Sequence, residues 1–338
     1  MELSDNIKRK IFFRADGNFE IGLGHITRCL SLARILDPFF TSHFIVQETS
    51  RAAAEEIKRF CSEITFIKND PGLYEEYKFF PPCSKGDIFV TDGYLFDTTY
   101  QTNIRSLGVK LVCIDDIHSF HFVADAVINQ ADSVTDGQYS AEPYTKLCLG
   151  FSYAMLRPPF YNHSRQANNL PGDIFICFGG SDPCNITLKV LNSVAGLNDV
   201  TSVQVVIGRE FRDKETIEKH PLLNDRVFLR QDIDAETMAA IMKKCQIAIC
   251  PSSGISVEAM AMHMYILTGK TAENQDAIYS GLLKYPNVSG IGDFAKLEET
   301  ELRGEFLRFF KNIKENGKTM QADVQFTPGK IIELFRSL

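Results

Sequence analysis

The stretch Arg14-Ala-Asp-Gly-Asn-Phe-Glu-Ile-Gly-Leu-Gly-His25 holds the side chains of an acid–base site among glycines that let a backbone approach a ligand. It leaves the apolar run Ile11-Phe12-Phe13, passes Gly17, Gly22 and Gly24, and enters a helical period at about His25. N–H groups exposed at a helix start attract anions. A histidine in that first turn feels the positive end of the helix dipole, which disfavours its protonated form. A neutral imidazole is what a general base requires. The plainer reading is a tight turn at Gly22 and Gly24 followed by a surface histidine. Arg14 and Asp16, charged at the end of a buried strand, favour the catalytic reading, with His25 and Asp16 as its core and Gly24 beside the ligand.

Three further strand-to-helix turns offer binding groups. In Cys177-Phe-Gly-Gly-Ser-Asp-Pro-Cys-Asn185, the residues Gly179, Gly180, Ser181 and Asp182 form a candidate backbone cradle for a diphosphate. The segment lacks both the dinucleotide spacing Gly-x-Gly-x-x-Gly and the Lys-Ser or Lys-Thr of a phosphate loop. Its structural alternative is a turn in which Asp182 caps a helix with Pro183 at the first position. In Cys250-Pro-Ser-Ser-Gly-Ile-Ser-Val-Glu258, Ser252, Ser253 and Gly254 are suited to a phosphate, and Glu258 to both hydroxyls of a ribose. The alternative there is a serine cap with Glu258 on a solvated face. Asn274 and Gln275, after Gly269, offer neutral amides for sugar hydroxyls, or are ordinary helix-start residues.

Other residues carry less. Asp232-Ile-Asp234 resembles a metal-binding Asp-x-Asp, but Asp234 precedes a helical run and reads as an N-cap. His118 and His121, after Asp115-Asp116, lie on a loop without metal-ligand spacing. Tyr94, following Thr91-Asp92-Gly93 at a strand end, is suited either to the ligand or to packing. Met238, Met242, Met260, Met262 and Met264 read as core.

The elements that must position these groups alternate between strand and helix. Strands are expected at 11–13, 43–47, 64–68, 87–91, 110–115, 127–128 and 147–149, with helices at 26–36 and 51–60. The proline-containing stretch 156–172 reads as a linker. Alternation resumes with strands at 173–178, 203–207, 227–229, 246–250 and 265–268, and helices at 185–194, 235–244, 255–262 and 273–283. A long amphipathic helix at 295–315 and a final one close the chain. The expected fold is α/β: two doubly wound Rossmann-like domains, residues 1–157 and 172–327, facing a cleft, with a C-terminal helix at 328–338.

Composition bounds the function. With 36 Lys+Arg against 43 Asp+Glu, the net charge of −7 argues against nucleic acid as a partner. No apolar run approaches the roughly 18 residues of a membrane span, and Lys8-Arg9-Lys10 precedes only three apolar residues, too few for a signal peptide. Nine cysteines without a Cys-x-x-Cys pair fit free thiols in a reducing cytoplasm. A cytoplasmic monomer is expected.

Taken in order, Arg14-Ala-Asp through Gly22-Leu-Gly-His25 with Arg28, then Gly179-Gly-Ser-Asp182, the serine turn before Glu258, and Asn274-Gln275 resemble the UDP-2,4-diacetamido-2,4,6-trideoxy-β-L-altropyranose hydrolases of pseudaminic acid biosynthesis. The resemblance runs over about residues 10–285. It departs at Gly17-Asn18, in a longer region around 68–86, and after 285. What it implies is a GT-B superfold related to MurG, a UDP-sugar substrate, transfer of the sugar to water with inversion, and no cofactor or essential metal. His25 would activate the water. Asp16 and Arg14 would organise the pocket, and Arg14, Gly24, Tyr94 and Asn274 would bind the sugar substrate. UDP would lie on Gly179, Gly180, Ser181, Asp182, Ser253 and Gly254, with Glu258 and Gln275 completing that side. UDP leaves readily when fixed donors meet its charge, so no acid need protonate it. An inverting glycosyltransferase of the same fold and a non-catalytic sugar-nucleotide sensor are the alternatives; Phe39-Phe40 is the one apolar pair that would suit a membrane-bound acceptor.

Overall fold

The computed structural model describes residues 8–17, 23–47, 51–68, 72–161, 163, 172–209, 211–317, 319–320, 322 and 324–338. Gly22, Asn18 and, within the expected linker, residues 162 and 164–171 lie outside the described residues. The chain forms two compact units, Met1–Pro158 with Thr327–Leu338, and Pro159–Phe326.

Unit 1 runs β1 (Arg9–Ala15), α1 (Gly24–Leu36), β2 (Phe40–Val46), α2 (Arg51–Phe60), β3 (Glu63–Phe66), β4 (Ile88–Asp92), α3 (Thr98–Ser106), β5 (Lys110–Ile114), β6 (His121–Phe122), β7 (Ala126–Asn129), β8 (Ser140–Ala141) and β9 (Lys146–Leu149). Among the described residues, its main sheet has the order β3-β2-β1-β4-β5-β7-β9, and every neighbouring pair is parallel. Ile11, Phe12, Phe13 and Ala15 are all buried, as expected of a strand covered on both faces. From β1 in mid-sheet the chain winds outward through β2 and β3, then crosses to β4 on the other side of β1. Ligands of doubly wound sheets lie at such a reversal, beyond the carboxyl ends of the strands. Ala15 pairs with Asp92 there, so the ends of β1 and β4 open side by side.

Unit 2 repeats the design with β10 (Asp173–Ile176), α4 (Ile186–Val194), β11 (Ser202–Ile207), α5 (Lys214–Glu218), β12 (Val227–Gln231), α6 (Ala235–Met242), β13 (Ile247–Pro251), α7 (Gly254–Ala261), β14 (Tyr265–Lys270), α8 (Asp276–Leu282), β15 (Val288–Asp293) and α9 (Glu299–Asn316). Its parallel sheet has the order β12-β11-β10-β13-β14-β15, with the reversal between β10 and β13. That pairing brings the glycine turn after β10 beside the serine turn after β13. Helix α9 buries Leu302, Phe306, Phe309, Phe310 and Ile313, one stripe at helical spacing. It starts four residues later than its periodicity predicts, because Asp293 accepts from the N–H of Ala295 (2.9 Å) and caps a separate 3-10 turn. Helix α10 (Gly329–Ser337) buries Ile331, Leu334 and Phe335 and belongs to unit 1. The five methionines read as core are buried.

Candidate active site

Helix α1 opens at Gly24, so His25 stands in its first turn at the end of unit 1's sheet reversal. The residue is only 7% exposed, and its Nδ1 lies 2.6 Å from Oδ1 of Asp92, the last residue of β4. Three residues along the same helix, Arg28 donates to both oxygens of Asp92, from Nε to Oδ2 (2.8 Å) and from Nη2 to Oδ1 (2.6 Å). It also donates to both oxygens of Asp116, from Nη1 (2.7 Å) and Nη2 (2.9 Å). Asp92 has no exposed surface. Burial alone would push its carboxyl up, but the charges and hydrogen bonds of Arg28 and His25 hold it well below the usual carboxylate range. The ring of Tyr94 meets that of His25 edge-on at 4.8 Å.

This geometry corrects the expected electrostatics of His25. The helix dipole was to hold the imidazole below its ordinary pKa, and burial does act in that direction. The Asp92 charge and hydrogen bond, with help from Asp116, outweigh burial and the opposing Arg28, and the pKa is raised. A full charge at 2.6 Å exceeds the roughly half-charge of a helix end. Asp92 also fixes the ring. With Nδ1 turned to the carboxylate, Nε2 is the ring nitrogen not engaged by Asp92.

Arg14, expected to touch substrate, is completely buried and turned into protein. Its Nε and Nη2 donate to the two oxygens of Glu76 (2.7 and 3.0 Å), and Nη1 lies 2.6 Å from Oδ1 of Asp16. Glu76 also accepts from the hydroxyl of Tyr100 (2.5 Å). Burial works against the guanidinium charge, yet Glu76 and Asp16 keep it firmly protonated. Arg14 therefore positions Asp16, whose side chain remains 30% exposed and also accepts from the N–H of Gln47 (2.9 Å). Phe96 covers the guanidinium face at 5.3 Å.

In unit 2, Gly179 has φ +86° and is exposed together with Gly180; Ser181 is partly exposed. A Cβ on Gly208, after β11, would overlap the carbonyl oxygen and Cα of Gly180, so two glycine backbones touch where the cradle was expected. Asp182 faces inward, accepting from the N–H groups of Ile186 (3.0 Å) and Thr187 (2.7 Å). It thus caps α4, which begins at Ile186 rather than Pro183, and the carboxylate is committed to that cap instead of to a ligand. Ser253 precedes α7 and Gly254 opens it, with open space where a Cβ would stand. Ser252 turns away and bonds to Thr268 (2.9 Å, both buried). Glu258 is buried, so the solvated-face alternative fails. Asn274 is exposed in a 3-10 turn. Gln275 accepts from the N–H of Thr271 (2.8 Å) and donates to its hydroxyl (3.1 Å), closing its own loop.

The remaining candidates take local roles. Asp234 caps α6 through the N–H of Thr237 (2.8 Å), as its spacing predicts, and Asp232 pairs with Arg209. His121 meets Ser140 and Glu142. Among the described residues there is no group of three His, Cys, Asp or Glu side chains suited to a metal, and no helix is long and apolar enough to cross a membrane. Phe40 is buried in β2, and the ring of Phe39 packs under Arg336. Sequence reasoning missed Asp92, Asp116, Glu76 and Tyr100. The strand-end run Thr91-Asp92-Gly93 and the i, i+3 spacing of His25 and Arg28 were usable signals for the first; nothing local marks Glu76.

No protein-family model matches the chain. It is 27% identical over 318 residues to an uncharacterized protein of Methanocaldococcus jannaschii, covering 88% of this chain and spanning 64% of that protein's length. It is 24% identical over 279 residues to the UDP-2,4-diacetamido-2,4,6-trideoxy-β-L-altropyranose hydrolase of Campylobacter jejuni (81% of this chain, 96% of that one). It is 24% identical over 271 residues to the spore coat polysaccharide biosynthesis protein SpsG of Bacillus subtilis (78% of each). The chain is a distant homologue of both. Among solved structures, MurG of Acinetobacter baumannii has a TM-score of 0.65 at 13% identity, covering 98% of this chain and 100% of that one. The calicheamicin glycosyltransferase CalG4 also has a TM-score of 0.65 at 13% identity, covering 98% of both. The fold is of the MurG-like GT-B type.

Proposed function

We propose that the chain hydrolyses a UDP-linked diacetamido-trideoxy sugar, releasing UDP and the free amino sugar for nonulosonic (pseudaminic) acid biosynthesis. The observation that carries this reading is the 2.6 Å contact between Nδ1 of His25 and Asp92. Nε2 of His25 takes a proton from water, the water oxygen bonds to the anomeric carbon, and the bond from that carbon to the UDP oxygen breaks with inversion. Amides at Gly179, Gly180, Ser181, Ser253 and Gly254 receive the negative charge of the leaving diphosphate, and Glu258 takes the ribose. Within unit 1, Asp16 and Tyr94 are assigned to the sugar, with Arg14 holding Asp16 from behind. The distant homology to the Campylobacter hydrolase supports this reading.

Incubation of the chain with such a UDP-sugar and no acceptor releases UDP and reducing sugar in equal amounts. A positioned base contributes roughly 10²- to 10⁴-fold, so His25→Asn binds UDP but loses at least about 100-fold in rate. Full activity in that variant removes His25 from the mechanism. UDP release only after a hydroxyl acceptor is added assigns the same base to a glycosyltransferase instead.

A further inference from the structure

We propose that Arg28 and Asp116 are positioning residues for His25: forked across Asp92 and Asp116, Arg28 locks the Asp92 carboxylate with Oδ1 against Nδ1 of His25 and thereby leaves proton transfer to Nε2. The inference rests on the hydrolytic role proposed for His25, and goes beyond it in naming what holds that ring.

Three elements meet in this cluster: α1 supplies His25 and Arg28, β4 supplies Asp92, and the turn after β5 supplies Asp116. Asp115 and Asp116 are adjacent but do different work. Asp115 turns inward and accepts from the N–H groups of Ile117 (3.3 Å) and His118 (2.8 Å) and from the hydroxyl of Tyr139 (2.9 Å). It folds the turn, with His118 at φ +41°, and so aims Asp116 at Arg28. All four Arg28–carboxylate contacts fall between 2.6 and 2.9 Å, a fork geometry that a point-charge lysine lacks.

Charge counting gives the fork a second consequence. With His25 neutral, Asp92, Arg28 and Asp116 sum to one negative charge, and protonating the ring cancels it. Removing Asp116 leaves the cluster neutral before protonation, which disfavours the imidazolium. Removing Arg28 leaves two negative charges, which favours it. Other groups near the ring do not alter this count: the Cys29 thiol, 3.8 Å from Asp92, is held protonated by burial and by Asp92; Asp16 at the end of β1 is paired with Arg14; and Tyr94 presents a ring edge. The raised His25 pKa follows the same signs: Asp92 and Asp116 raise it, while burial and Arg28 lower it.

The test is an NMR titration of the ¹⁵N-labelled His25 imidazole in the full chain, together with UDP-release kinetics. Asp116→Asn lowers the titration midpoint and Arg28→Gln raises it. Arg28→Lys keeps the midpoint near that of the unaltered protein but gives a mixed tautomer. In each variant kcat falls about tenfold, within the range of a mispositioned base, while KM changes little. Asp116→Glu restores the downfield Nδ1–H pattern. A purely structural role would lower thermal stability and leave midpoint and tautomer in place; that result, or shifts of the same sign in Asp116→Asn and Arg28→Gln, overturns the proposal. If Arg28→Gln does not fold, Asp116→Asn and Arg28→Lys decide, since Asp116 is partly exposed and the lysine retains the charge. A chain that titrates as stated yet releases no UDP retires the hydrolase reading and supports the relay.

Discussion

Replacing Asp92 with Asn keeps the shape of the side chain and removes one buried charge, so it isolates what that charge does. Asp92 accepts one hydrogen bond from His25 and two from Arg28, all between 2.6 and 2.8 Å, with no exposed surface. Hydrogen bonds to charged groups are worth about 1.5–3 kcal/mol each, and breaking a buried pair costs about 3–5 kcal/mol. At roughly 2–4 °C per kcal/mol for a unit of this size, the melting temperature falls by on the order of 6–20 °C. The rate falls by about 10²- to 10⁴-fold, because the ring loses both its fixed tautomer and its basicity. Sign follows from the raised His25 pKa. The base acts when neutral, so activity climbs with pH through a midpoint above the ordinary imidazole value, and Asp92→Asn moves that limb to lower pH while its plateau drops. Stability runs the other way: the pair's contribution is complete below the ordinary histidine pKa and is lost as pH rises through the raised one. The depressed Asp92 pKa adds a contribution present above the usual carboxylate value and lost as pH falls through the folded one. The pair therefore stabilises the fold most between about pH 4 and 6.5. UDP release across pH and thermal melts of both proteins check these statements. A variant within about threefold of the original rate, with its pH midpoint unmoved, refutes the dyad.

Two more perturbations probe what stands behind the site. Glu76→Gln leaves the buried Arg14 with Asp16 as its remaining carboxylate, costing about 3–5 kcal/mol, and a thermal melt unchanged within a degree would refute that role. In unit 2, Gly208→Ala drives a methyl group into the backbone of Gly180; overpacking of that kind costs about 1–3 kcal/mol, and calorimetry should find UDP held about tenfold more weakly. Unaltered UDP affinity in that variant separates the Gly179–Gly180 turn from nucleotide binding.

The sheets were legible because parallel strands covered on both faces leave short, unbroken apolar runs, and Ile11-Phe12-Phe13 or Ile247-Ala-Ile-Cys250 have no other plausible place. Helix α3 was not, since Thr98–Ser106 is mostly polar and buries only Tyr100, Gln101 and Ile104. Strand β15 was hidden by Gly290 and Gly292, the first packed against Tyr279. At the site, Gly24-His25 announces itself locally, whereas its carboxylate stands 67 positions away and that of Arg14 stands 62 away. Spacing gives no hint of such pairs. That is why Arg14 reads as a ligand contact and proves to be a buried strut, and why the dipole, the only local field in view, gave the wrong direction for His25. Asp182 was ambiguous for a different reason: capping and ligand binding ask for the same residue at the same turn, and its carboxylate accepts from the N–H groups of Ile186 and Thr187.

The return of α10 to unit 1 bears on how the chain is made. Residues 159–326 are synthesised before the segment that contributes Ile331, Leu334 and Phe335 to unit 1, so during translation that unit waits, with the α10 docking surface bare, while its neighbour is built. A single cut at 158 would strand the helix on the wrong fragment. Exchange of 159–326 as one cassette, with both joints kept, leaves α10 joined to the unit it belongs to.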